Sequence, residues 1–189
     1  MKRRGILLCT MLLFFGFSFA HQPRIVFDAS HTQENPILVT NPEISQAFYG
    51  NLHGQADVYH IQMTSGFLLY VNIVVPELSG QRTDFIVDII KGNDAVYTRM
   101  DGTRAKRTPF YEEFAGDNYL KGPEREQEVS AGEYTIKVSN PDNQGKYSLA
   151  IGKIESFPPN EILKTFHALP ILKTEFFNKP RWTISQGVI

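Results

Sequence analysis

Residues Phe67 to Val75 read FLLYVNIVV, and Pro76 closes the run. The run is apolar on both faces and rich in β-branched and aromatic side chains. Bounded by the turn Thr64-Ser65-Gly66 on one side and a proline on the other, it predicts a buried central β-strand. Asp57 to Met63 (DVYHIQM) precedes it and alternates, with Tyr59, Ile61 and Met63 on the apolar face. Period-2 alternation marks a strand that is buried on one side. This leaves His60 on the polar face, towards solvent. Upstream again, Gln46 to Leu52 (QAFYGNL) is a short β-rich segment turned by His53-Gly54.

The same grammar continues downstream. Asp84 to Ile90 (DFIVDII) alternates, with Phe85, Val87 and Ile89 inward. Lys91 to Asp94 turns the chain, and Ala95 to Met100 returns. Glu133 to Val138 and Lys146 to Ile151 form a hairpin across the turn-forming residues SNPDNQG. Arg24 to Phe27 and Ile37 to Thr40 are weaker strand candidates. Seven to nine short strands at this spacing predict an all-β fold, a jelly-roll-type antiparallel β-sandwich.

Two stretches break the pattern. Asp101 to Gln127 shows little periodicity and reads as a long irregular segment, a kind of segment that is uncommon unless functional. Beyond Pro158-Pro159, residues Ile162, Phe166, Leu169, Leu172 and Phe176 fall at helical spacing. They predict a short C-terminal helical extension with one apolar stripe, kinked or divided at Pro170. Lys164, Lys173 and Glu175 lie off that stripe. It either packs on the sandwich or docks on a partner or membrane surface, with Trp182 as an anchor in both cases.

The N-terminus carries its own signal. Lys2, Arg3 and Arg4 precede the uncharged run GILLCTMLLFFGF, and Ser18-Phe19-Ala20 offers small residues at a cleavage site. This is the order of parts in a secretory signal peptide. The division expected is a signal peptide at 1–20, a β-sandwich at 21–157 and a helical tail at 158–189. Cleavage removes Cys9, the one cysteine, and with it disulfides and thiol chemistry. It also removes three of the 19 basic residues, leaving 16 against 20 acidic ones, a formal net charge of −4. That balance argues against nucleic acid as a partner. The mature chain has no transmembrane segment in this reading, and the protein is exported to a periplasmic or extracellular location.

Four strand motifs, taken in order, resemble the bacterial pre-peptidase C-terminal (PPC) domain family. Gly50-Asn51-Leu52 leads to Asp57-Val58-Tyr59. Gly66 precedes the strand at Phe67. Gly132-Glu133-Tyr134-Thr135-Ile136 and Gly145-Lys146-Tyr147-Ser148-Leu149 match the closing strands. The resemblance covers about residues 48–152. It implies a jelly-roll β-sandwich of the kind that accompanies secreted peptidases as an accessory module, with calcium in some members. Here no catalytic domain is attached, and the acidic clusters of the calcium-binding members have no clear counterpart.

For chemistry, the five histidines are scattered without zinc-ligand spacing, and no G-x-S-x-G elbow occurs. Asp101-Gly102-Thr103 and Asn140 to Asn143 are oxygen-rich turns that calcium could use. Neither shows the Asp-x-Asp-x-Asp pattern, so turn formation is the preferred reading. No other cofactor is expected. Glu112, Glu113 and Asp117 are a weak acid/base cluster for a hydrolase. The preferred function is a non-catalytic exported binding module for a protein or polysaccharide, with an envelope assembly component as the alternative. Its ligand candidates are Arg99, Arg104, Arg107, Tyr111, Phe114 and Tyr119, joined by Lys106 and Phe110, because exposed aromatics beside arginines carry binding energy. The competing reading folds these aromatics back onto the sandwich.

Overall fold

The computed structural model describes residues 21–93, 96–113 and 115–181. The signal-peptide reading of residues 1–20, the ligand-binding role considered for Phe114 and the anchoring role considered for Trp182 fall outside the described residues.

Among the described residues, eleven strands form two stacked sheets. They are β1 (Gln22–Ile25), β2 (Ile37–Leu38), β3 (Gln46–His53), β4 (Asp57–Met63), β5 (Phe67–Pro76), β6 (Ile86–Lys91), β7 (Val96–Asp101), β8 (Thr108–Glu112), β9 (Asp117–Val129), β10 (Gly132–Ser139) and β11 (Gln144–Ile151). One sheet has the order β1-β3-β11-β5-β9-β8 and the other β2-β4-β10-β6-β7. The chain passes repeatedly from one sheet to the other, as in a jelly roll, and the fold is an all-β sandwich. The expected antiparallel pairing holds except at one side. There β1 runs parallel to β3 and β2 parallel to β4, which the long connections between these pairs permit.

Strand β5 sits inside the six-stranded sheet, and Phe67, Leu69, Val71, Ile73 and Val75 are all buried against the facing sheet. Tyr59, Ile61, Phe85, Val87, Ile89, Tyr134, Ile136, Tyr147 and Leu149 complete that core. The alternation read from the sequence therefore selected the correct face on each of these strands. Inside the core, the Tyr147 hydroxyl donates to Asp57 Oδ2 at 2.6 Å, and the Tyr59 and Tyr147 hydroxyls meet at 2.8 Å. A buried polar group needs such a partner. Gly50 lies beneath the Tyr147 ring, where a Cβ would collide with it.

The segment 101–127 is not irregular. It supplies β8 and most of β9, a hairpin at one edge of the larger sheet. Nearly all of β8 is exposed, so its residues carry no apolar alternation. Both terminal strands of this sheet contain a proline, Pro23 in β1 and Pro109 in β8.

The tail is helix α1 (Pro159–Ile171), continued by a π-helical turn at Leu172–Phe176. Pro159 opens the helix where its missing N–H costs nothing. Pro170 is accommodated inside α1, and the change of helix type follows directly after it. The tail packs on the outer face of the six-stranded sheet. Ala168, Leu172, Phe176 and Phe177 are buried with Tyr119, against Ile25, Phe27, Tyr49 and Val74. The predicted stripe is corrected in its first half: Ile162 and Phe166 are exposed, and Glu161 and Thr165 face inward in their place. Ion pairs set this rotation. Arg24 holds Glu161 at the start of the tail, and Lys173, expected off the packed face, is buried on Asp117 at its end. Lys179 also pairs with Asp117, at 2.8 Å. Lys146 caps the far end by donating to the carbonyls of Glu175 and Phe176 at 2.7 and 3.0 Å, where a helix leaves acceptors unsatisfied. Among the described residues, no helix is long and apolar enough to cross a membrane.

Candidate functional site

The side chains singled out from the sequence do not form one surface. Arg99 is committed to Asp88 through a two-pronged pair, Nε to Oδ1 at 2.7 Å and Nη2 to Oδ2 at 2.9 Å. Tyr119 is buried, bonded to the Tyr49 hydroxyl at 3.2 Å and packed edge-on to Phe177. It belongs to the core under the tail, not to a ligand surface. Arg107 points inward between Gly102 and Gly122, where a Cβ on either glycine would collide with its guanidinium. It donates to the Thr83 carbonyl, while Nε and Nη1 are buried without a hydrogen-bond partner. Burial pulls its pKa below the usual guanidinium range, against the pull of Asp84. Arg107 therefore fills the slot between the hairpin and the Thr83 segment. Tyr111 and Arg104 are exposed, as are Phe110 and Lys106. Phe110 shares a face with Tyr119, and neighbouring residues of a strand point to opposite faces, so Phe110 and Tyr111 cannot act as one platform.

In the acid cluster Glu112 and Asp117 stand opposite each other across β8 and β9, but both are committed to structure. Asp117 is 1% exposed and bound by two lysines. Glu112 Oε2 accepts from the Ala115 backbone N–H at 2.7 Å. These groups are positioned for turn and tail structure. Asp101 likewise spends Oδ1 on the Thr103 N–H and hydroxyl, and Asn140 and Asn143 bond within their own turn. This is turn chemistry.

The concave site lies elsewhere. Where β1 and β2 end the two sheets, α1 passes alongside and closes a cleft of about 760 Å³. Its floor is polar. Arg24 reaches from β1 to Glu161 of α1 at 2.7 Å, and its other nitrogens meet Gln22 Oε1 at 2.5 Å and Gln46 Oε1 at 3.3 Å. Gln46 in turn donates to the Thr40 carbonyl at 3.0 Å, and Gln22 to the Ser156 carbonyl at 2.5 Å. Lys164 pairs with the second oxygen of Glu161 at 2.7 Å. Burial alone would raise the Glu161 pKa, but the hydrogen bonds from Lys164 and Arg24 outweigh it and hold the carboxyl below its usual range. The rim is aliphatic: Leu38 is 68% exposed and Ile171 is 37% exposed.

None of these cleft residues was legible as a site. Arg24 and Glu161 stand 137 residues apart in sequence. One sits in a short weak strand and the other among polar helix residues. The one available signal was that Glu161 falls in the first turn of a predicted helix, where an acidic residue is ordinary.

No family model matches the chain, and no curated protein matches it. Among solved structures, the pre-peptidase C-terminal domain of collagenase from Bacillus anthracis aligns with 69% of this chain and 94% of that domain, at 16% identity and a TM-score of 0.36.

Proposed function

We propose that the protein is exported and that its mature chain is a non-catalytic binding module whose ligand enters the cleft between β1, β2 and α1. The observation that carries this reading is the cleft itself. It is large enough for part of a ligand, its polar groups converge, and apolar side chains stand exposed at its mouth. Such a site is the ordinary form of a binding pocket. The four strand motifs and the leader are what support export of an accessory module. Of the carboxylates considered for hydrolysis, Asp117 and Glu112 are engaged in structure and Glu113 is exposed, and none of the three lines the cleft.

The test is site-specific photo-crosslinking with residues 21–189 in envelope extract. A crosslinker at Leu38 is expected to give a discrete adduct that excess unmodified protein competes away. The same group at Tyr111 should give none. A second reading, an assembly component, is favoured by Leu163 and Phe166, each 62% exposed on the outer side of α1. A competed adduct from Phe166 with none from Leu38 would select it.

A further inference from the structure

Which ligand the cleft takes can be read from its charges and its rim, and this step rests on the binding reading above. Two basic side chains, Arg24 and Lys164, share the carboxylate of Glu161. The floor thus carries an excess positive charge. Arg24 is fixed on all sides by Glu161, Gln22, Gln46 and the Pro23 carbonyl. The Lys164 side chain is 61% exposed while Glu161 beneath it is 8% exposed, so the accessible member of the triad is a cation. His167 stands next to it on the lining. The exposed apolar side chains at the mouth, Leu38 and Ile171, are aliphatic. Among the described lining residues Phe48 is the one Phe, Tyr or Trp, and it is buried in the core at 3% exposure. None of them offers a sugar ring a phenyl, phenol or indole face to stack on. Strand addition along β1 is disfavoured as well, since Pro23 lacks an N–H and the Arg24 side chain bonds the Pro23 carbonyl. Recognition must then come from side chains.

We infer that the cleft binds an extended polypeptide segment with aliphatic side chains next to a carboxylate. The aliphatic groups rest on Leu38 and Ile171. The carboxylate meets Lys164, with Arg24 behind it strengthening the field. A ligand carboxylate here forms a charge-assisted hydrogen bond with the accessible ammonium.

The probe is a fluorescein-labelled, end-capped heptapeptide of alternating leucine and aspartate, read by anisotropy against residues 21–189. Its counterpart carries asparagine for aspartate, and cellohexaose is the sugar control. The aspartate peptide should bind about tenfold more tightly than the asparagine peptide, the worth of one hydrogen bond to a charged group. Lys164→Gln should remove that difference, and Leu38→Asp should weaken both peptides. Each variant is checked by circular dichroism, and Tyr111→Ala should bind as the parent does. Equal binding of the two peptides, indifference to Lys164→Gln, or displacement of the probe by cellohexaose would overturn the assignment. If neither peptide binds while Leu38 still gives a competed adduct, the peptide assignment fails and the binding module stands. Absence of that adduct sinks both.

Discussion

At the scale of single residues, the most constrained group is the carboxyl of Asp57. Burial holds it above the usual carboxylate range, although the Tyr147 hydroxyl and the His31 N–H both favour the ionised form. A carboxyl whose pKa is raised on folding stabilises the fold fully below its unfolded pKa. That contribution is lost as the pH rises through the folded value. Urea midpoints of the wild type minus those of Asp57→Asn should therefore fall as the pH is raised from the unfolded carboxyl range towards neutrality. A difference that stays flat, or that grows with pH, would contradict the burial account. Asp57 was visible in the sequence only as the first residue of a strand. Its inward direction follows from alternation with Tyr59 and Ile61, yet its partner Tyr147 lies 90 residues away. Arg107 teaches the same lesson: its charge was read correctly and its direction was not, because Gly102 and Gly122 open a slot that only the folded hairpin creates.

At the scale of elements, legibility followed the pattern of burial. Strands with one buried face, such as β4 and β10, show alternation and were found within a residue of their ends. β8 is exposed along nearly its whole length, and β9 is exposed from Glu124 to Glu126, so hydrophobic periodicity had nothing to record there. The tail was found as a helix, but its face was misread because ion pairs, not apolar side chains, fix its first turns. This separates two phenylalanines that look equivalent in sequence. Phe176→Ala should cost about 3–5 kcal/mol, as for a fully buried ring, whereas Phe166→Ala should stay within about 0.5 kcal/mol. Denaturant titration of both variants decides it, and equal losses would restore the sequence-derived stripe. The buried end of the tail gives a second prediction. Asp117→Ala strands Lys173 and Lys179, and removal of one partner from a buried pair costs about 3–5 kcal/mol. It should also expose the segment after Ile171 to trypsin before the sandwich itself unfolds. Simultaneous cleavage of the two would show that the tail is no separate unit.

At the scale of the molecule, the tail is the lid of a second, smaller core. A chain ending at residue 157 should retain its β-sheet circular dichroism. It should also bind the dye ANS at the uncovered face formed by Tyr49, Val74 and Tyr119, which the intact protein does not offer. Loss of the β-sheet signal on truncation would instead make the tail part of one folding unit. The four open borders of the sandwich have a further consequence. β1 and β8 each carry a proline, β2 is only two residues long, and β7 runs beside an irregularity at Ile89/Ile90. Neighbouring copies are denied a continuous row of backbone donors on every border. A crowded population of this protein is thereby protected from growing into cross-β fibrils, and it keeps that protection without any disulfide to lock it shut.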